Sequence, residues 1–102
     1  MSLDLKSLDT YPVIKNITVV QTWLEIKLPS KAFNLTLGSD DQDLFVSFTG
    51  TDGGSLVGVD KAFIKRDGYL SITRGRGSNQ HTSIFVAVAT GSTATVVLIL
   101  EE

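Results

Sequence analysis

The sequence predicts an all-β domain: a single antiparallel β-sandwich or jelly roll of about eight strands, with a short N-terminal arm. Three observations lead there. After Pro12, apolar and polar residues alternate through most of the chain with a period of two, the spacing of side chains along one face of a strand. Clusters of Gly, Asp and Ser, which supply turn geometry, recur between those runs. The last two runs, residues 82–89 and 93–100, are apolar on both faces, as strands covered on both sides must be.

Residues 1–12 read as an arm, and residues 13–102 as the sandwich. Leu3, Leu5 and Leu8 fit neither the helical nor the strand period, so the arm must shelter them along the body or on a neighbouring subunit. Tyr11 precedes Pro12 and is pushed towards extended geometry. Residues 17–20 form a short β-branched run. In residues 23–28, Trp23, Glu25 and Lys27 alternate with Leu24, Ile26 and Leu28 until Pro29 stops the strand. Phe33, Leu35 and Leu37 then alternate with Asn34 and Thr36, and the polar residues 38–43 end that run.

Leu44, Val46 and Phe48 alternate with Phe45 and Ser47, and residues 50–55 form a Gly- and Asp-rich loop. Residues 56–65 read as one irregular strand or two short ones about Gly58. Asp67-Gly68 predicts a hairpin turn, because this pair adopts the left-handed geometry that matches strand twist. Tyr69, Ser71 and Thr73 alternate with Leu70 and Ile72, and residues 74–80 form the next loop. Thr90-Gly91-Ser92 then joins the last two runs as a closing hairpin.

At 102 residues the chain fits one compact domain. It has no cysteine, so packing alone must hold the fold, and neither a disulfide nor a thiolate metal site can form. A net charge of −2 gives no general attraction to nucleic acid or to an acidic membrane. The longest uninterrupted apolar stretch, residues 96–100, is about a quarter of the roughly 20 residues a spanning helix needs. The N-terminal residues lack the basic and apolar segments of a secretion signal, so a soluble chain made in a cytoplasm is expected.

No catalytic signature is present, and no enzyme, cofactor or metal is expected. His81 is the single histidine, and no nucleophile elbow of the Gly-x-Ser-x-Gly type occurs. Asp40, Asp41 and Asp43 could suit a hard cation, but they lack the spacing, central Gly and distal Glu of a calcium loop; a solvated turn accounts for them. Arg74-Gly75-Arg76-Gly77 offers two guanidinium forks on a permissive turn, suited to a carboxylate or phosphate on an acidic partner surface, or else simply a solvated loop. Trp23, Tyr11 and Tyr69 could stack on a sugar, or belong to the core.

Phe45, Phe85, Val97 and Ile99 lie opposite the alternating sets assigned to the core. Fully burying such a side chain contributes about 1.5 to 3 kcal/mol, so an exposed group of them favours association. Self-association into a dimer or, preferably, a trimer is the expectation; covering by the arm or a long loop is the alternative.

The order of segments also resembles small β-rich virion structural proteins of tailed bacteriophages. The resemblance runs over residues 20–102 through Trp23-Leu-Glu-Ile-Lys-Leu-Pro29, Leu44-Phe-Val-Ser-Phe-Thr-Gly50, Tyr69-Leu-Ser-Ile72 leading into Gly75-Arg-Gly77, and Ser83-Ile-Phe-Val86 with its Thr-rich final strand. It implies a homo-oligomeric capsid decoration or cement protein, present in the host cytoplasm during assembly and then in the virion. The major capsid protein or another virion protein would be its partner. Leu3, Leu5 and Leu8 of the arm, with Arg74 and Arg76, would then contact coat subunits. The alternative is a carbohydrate-binding or host-recognition module of a tail or fibre.

Overall fold

The computed structural model describes residues 2–102. Nine strands form in chain order: β1 (Leu3–Asp4), β2 (Val13–Val19), β3 (Leu24–Lys27), β4 (Asn34–Gly38), β5 (Leu44–Ser47), β6 (Ala62–Ile64), β7 (Tyr69–Thr73), β8 (Ser83–Val88) and β9 (Ala94–Glu101). One sheet has the order β1-β3-β8-β5-β6 and the other β2-β9-β4-β7. Without β1, the remaining strands form two antiparallel sheets, and the chain crosses between them at every connection except β5 to β6. That is the winding of a jelly roll.

The period-two pattern turns one face of each sheet inward. Ile26, Leu44, Ile84 and Val86 meet Leu35, Leu37, Val96 and Leu98 between the sheets, all 1% exposed or less. Each such side chain contributes about 1.5 to 3 kcal/mol, which in a chain without disulfides is the main stabilising term.

The expected closing hairpin does not form. β8 lies between β3 and β5, and β9 lies between β2 and β4, so each already has a partner on both edges. Apolar character on both faces therefore marks the central strand of each sheet, and the connection at residues 89–93 crosses between sheets. Asp67-Gly68 likewise turns the chain from one sheet to the other. Asp67 adopts the expected left-handed conformation (φ 67°), but β6 pairs with β5 and β7 with β4. The local turn chemistry was legible, whereas the partner was not. Of residues 56–65 only Ala62–Ile64 is strand.

The arm lies on its own body. β1 pairs in parallel with β3, and the Leu5 amide donates to the Lys27 carbonyl at 2.9 Å. Leu5 is 7% exposed, and Leu3 and Leu8 pack partly buried against the main core. Tyr11 donates to the Leu8 carbonyl, and the Tyr11–Pro12 peptide is cis.

Candidate functional site

The outward faces of the two sheets are the parts of this molecule that separate a self-contained surface from an open one. On the β3-β8-β5 face, Phe85 and Ala87 point away from the core, yet they are 8% and 0% exposed. Residues 48–61, which join β5 to β6, fold back over them. Trp23 and Gly53–Gly54 exchange backbone hydrogen bonds, Trp23 N to Gly54 O at 3.1 Å and Gly53 N to Trp23 O at 2.7 Å. The Asp52 carboxylate accepts the Glu25 amide at 2.9 Å, and the Ser47 hydroxyl donates to the Asp60 carbonyl at 2.7 Å. The result is a second small core of Trp23, Phe85 and Ala87, with Phe45, Leu56 and Val59 packed around it.

Gly50 makes this possible: a Cβ there would stand 3.1 Å from the Trp23 ring and 3.2 Å from Phe85 Cβ. The outward apolar set on β8 is thus covered by this chain itself, and Phe85 is not free to meet another. Phe45 is half-buried, edge-on to Phe63 at 5.9 Å, and Phe63 remains 56% exposed.

On the β2-β9-β4-β7 face no segment of the described residues folds back. The register sets its side chains in rows across the sheet: Ile14, Ile99, Thr36 and Ser71 form one, and Asn16, Val97, Gly38 and Tyr69 the next. Ile14 is 64% and Tyr69 45% exposed, with Val97 and Ile99 half-buried between them. Asn34, Thr73 and Thr95 extend the face, and Glu101 at its margin is the one charged residue pointing outward from these strands. Ile14 escaped the sequence reading, which began this strand at Ile17. The signal was there: Val13, Lys15, Ile17 and Val19 alternate with Ile14, Asn16 and Thr18.

The arginine loop divides into two roles. Arg74 is 5% exposed, and its guanidinium donates to the backbone carbonyls of Pro29, Ala32 and His81, tying together the loops after β3 and before β8. Burial lowers its pKa, yet guanidinium stays charged at any ordinary pH. It is a staple within the chain and cannot grip an outside partner. Arg76 is exposed and lies over the Phe33 ring at 3.7 Å.

The aspartates of residues 40–43 also serve the fold. Asp41 accepts from the Ser39 hydroxyl and the Thr95 amide, Asp43 from the Arg66 amide, and Asp40 from the Tyr69 hydroxyl. The Ser39 contact holds the Asp41 carboxyl below the usual range. Among the described residues, no group of three or more metal-ligating side chains converges. His81 stacks tilted on Phe48, with ring centroids 4.7 Å apart.

The three aromatics proposed for sugar stacking do not meet. Trp23 is 1% exposed under the 48–61 segment, with no hydrogen-bond partner for Nε1 among the described residues. Tyr69 stands on the opposite face, and Tyr11, at the end of the arm, packs partly buried against the main core. Beside β7, an apolar cleft of about 290 Å³ opens between the sheets, lined by Val46, Phe48, Ala62, Leu70 and Ile72. No protein-family model, curated protein or solved structure matches this chain.

Proposed function

We propose that this chain is a non-catalytic structural protein of a bacteriophage virion, a self-associating decoration or cement subunit that seats its open sheet face on the coat. The observation that carries the reading is that face: four strands wide, almost free of charge, with Val97 and Ile99 on an inner strand and Ile14 beside them on the edge strand β2. Strands spaced about 4.8 Å apart and rising about 3.4 Å per residue give a plate roughly 19 by 17 Å. This suits the core of an interface whose standard size is about 800 Å² a side. Depletion of charge at the centre of a patch is what distinguishes interface cores from ordinary surface. Jelly rolls serve both viral capsids and lectins, so the fold favours neither reading alone. Burial of Trp23 takes that residue out of the aromatic set on which the sugar-binding alternative stood and favours the structural reading.

The test is quantitative mass spectrometry of particles from the phage that encodes this chain. The reading expects the chain in copy number proportional to coat subunits, and depleted from particles when Ile14→Asp and Ile99→Asp are combined. Absence from purified particles overturns it.

A further inference from the structure

We propose that β7 pairs with β7 of a second copy about a two-fold axis at Ser71, joining two β2-β9-β4-β7 sheets edge to edge. β7 is an edge strand. Its pairing with β4 continues to Arg74, whose amide donates to the Phe33 carbonyl at 2.7 Å. Because hydrogen-bonded pairs alternate in an antiparallel ladder, Ile72 and Leu70 also bond towards β4, and the peptide groups of Tyr69, Ser71 and Thr73 point away from it. Among the described residues, no backbone hydrogen bond meets those groups. An added strand would find a complete set of donors and acceptors.

The second observation is the cleft. It lies between the sheets on the core side of β7, and Leu70 and Ile72 form one wall of it. The sandwich is open here because β6, the matching edge of the other sheet, has only three residues. Side chains that an added strand turned inward would lie over the mouth of this cleft.

The sequence of β7, Tyr-Leu-Ser-Ile-Thr, meets both demands when paired with itself. Around Ser71 opposite Ser71, Tyr69 stands opposite Thr73 and Leu70 opposite Ile72. The free peptide groups then match one another in about six hydrogen bonds. In the same register, Leu70 and Ile72 of each copy face the cleft side. A one-residue slip would lose both matches at once.

The other edges are closed to this. β1 and β6 are short. β2 is seven residues long, but Lys15 sits on its inward-facing set between Val13 and Ile17, an inward-pointing charge of the kind that protects sheet edges from pairing. β7 carries no charged residue. Five paired residues span about 17 Å along a sandwich whose sheets lie about 10 Å apart. That interface falls below the roughly 1,200 Å² typical of tight complexes, so the dimer should be reversible and concentration-dependent.

The inference rests on the structural reading only in treating self-association as part of the function; it uses a different surface from the coat-facing sheet. Sedimentation velocity from roughly 10 to 500 μM should show a monomer giving way to a dimer, in the range expected of a small interface. Ser71→Pro removes an amide that β4 does not use, at an edge position where proline is tolerated, and should stay monomeric throughout with its melting temperature little changed. Since the chain has no cysteine, Ser71→Cys gives an independent test. Paired Cα atoms about 5.5 Å apart lie within disulfide reach, so oxidation should link Ser71→Cys chains and leave Thr73→Cys chains unlinked.

A wild type monomeric over the whole range overturns the proposal, as does a Ser71→Pro chain that dimerises like wild type or equal linking of the two cysteine variants. A Ser71→Pro monomer that still joins particles supports the edge dimer and leaves the coat-facing sheet in place. A wild type that joins particles but is monomeric in solution and on the particle overturns the edge dimer alone.

Discussion

Phe85 and Ala87 on β8 and Val97 and Ile99 on β9 occupy equivalent places, the outward positions of a central strand, yet the first pair is 8% exposed or less and the second lies half open. Their difference comes from a connection. Seven of the eight links between successive strands cross from one sheet to the other. The 48–61 segment alone returns to its own sheet, so its length is free to fold back over the face it leaves. Gly50 and Ala87 give it room, and Trp23 fills the space beneath. On the opposite face Ile99 is flanked by Ile14 and Thr36 and Val97 by Asn16 and Gly38, and no described segment packs over them.

The sharpest way to break this contrast is to remove Trp23. Trp23→Ala should cost about 4 kcal/mol in urea unfolding, because it empties the centre of the small core. Ile99→Ala, on the open face, should cost about 1 kcal/mol, since that side chain is already half in water. Equal losses at the two sites would show that the 48–61 segment does not cover its face in solution. Trp23→Phe should cost less than about 1.5 kcal/mol, because the indole Nε1 has no partner to lose among the described residues.

Arg74 is next. Arg74→Ala leaves the carbonyls of Pro29, Ala32 and His81 without their donor and should cost about 3 kcal/mol. Arg74→Lys should recover little, because an ammonium cannot reach all three positions as the planar fork does. Recovery of most of the stability by lysine would reduce the staple to a charge effect.

These sites also show how far the sequence could be read. The strands at residues 34–38, 44–47 and 69–73 follow from alternation, because a half-buried strand must turn every second side chain inward, whereas β8 follows from a run that is apolar on both faces. Pairing does not follow, since Asp67-Gly68 has the same local chemistry whether the chain returns to its own sheet or crosses to the other. A surface was legible as an excess of apolar positions, with Phe45, Phe85, Val97 and Ile99 named as a group. Which of the four would be covered depended on a Gly-rich segment whose destination no local pattern encodes. Arg74 is illegible for a related reason: a basic residue that opens a glycine-rich loop looks solvated until the carbonyls of Pro29, Ala32 and His81 converge on it.

Smaller effects sharpen the comparison from each side. Gly50→Val pushes side-chain atoms against Trp23 and Phe85 and should cost about 1 to 3 kcal/mol with a red shift of Trp23 emission. Ile14→Thr, at a 64% exposed position on the edge strand of the open face, should change the stability of the isolated chain by less than about 0.5 kcal/mol. A larger loss for Ile14→Thr, growing with protein concentration, would place that side chain in a contact between copies.

Acid should open the covered face selectively, and the sign follows from Asp52. Its carboxyl is held below the usual range chiefly by the Glu25 amide it accepts, so the folded state takes up a proton there less readily than the unfolded chain. The stability this linkage provides is complete above the ordinary carboxyl pKa of about 3.9 and is lost as pH falls through the depressed folded value. Asp41, lowered chiefly by the Ser39 hydroxyl, follows the same sign but ties its loop to Thr95 on the other sheet. Trp23, the single tryptophan, reports on only one of them. Its emission should shift to the red as pH falls below about 4, ahead of the loss of strand signal in circular dichroism. Asp52→Asn keeps an oxygen acceptor for the Glu25 amide but no longer titrates, so it should flatten that early shift, whereas Asp41→Asn should leave it intact. An early shift that persists in Asp52→Asn would assign the acid sensitivity to the whole sandwich and remove the distinction between its two faces.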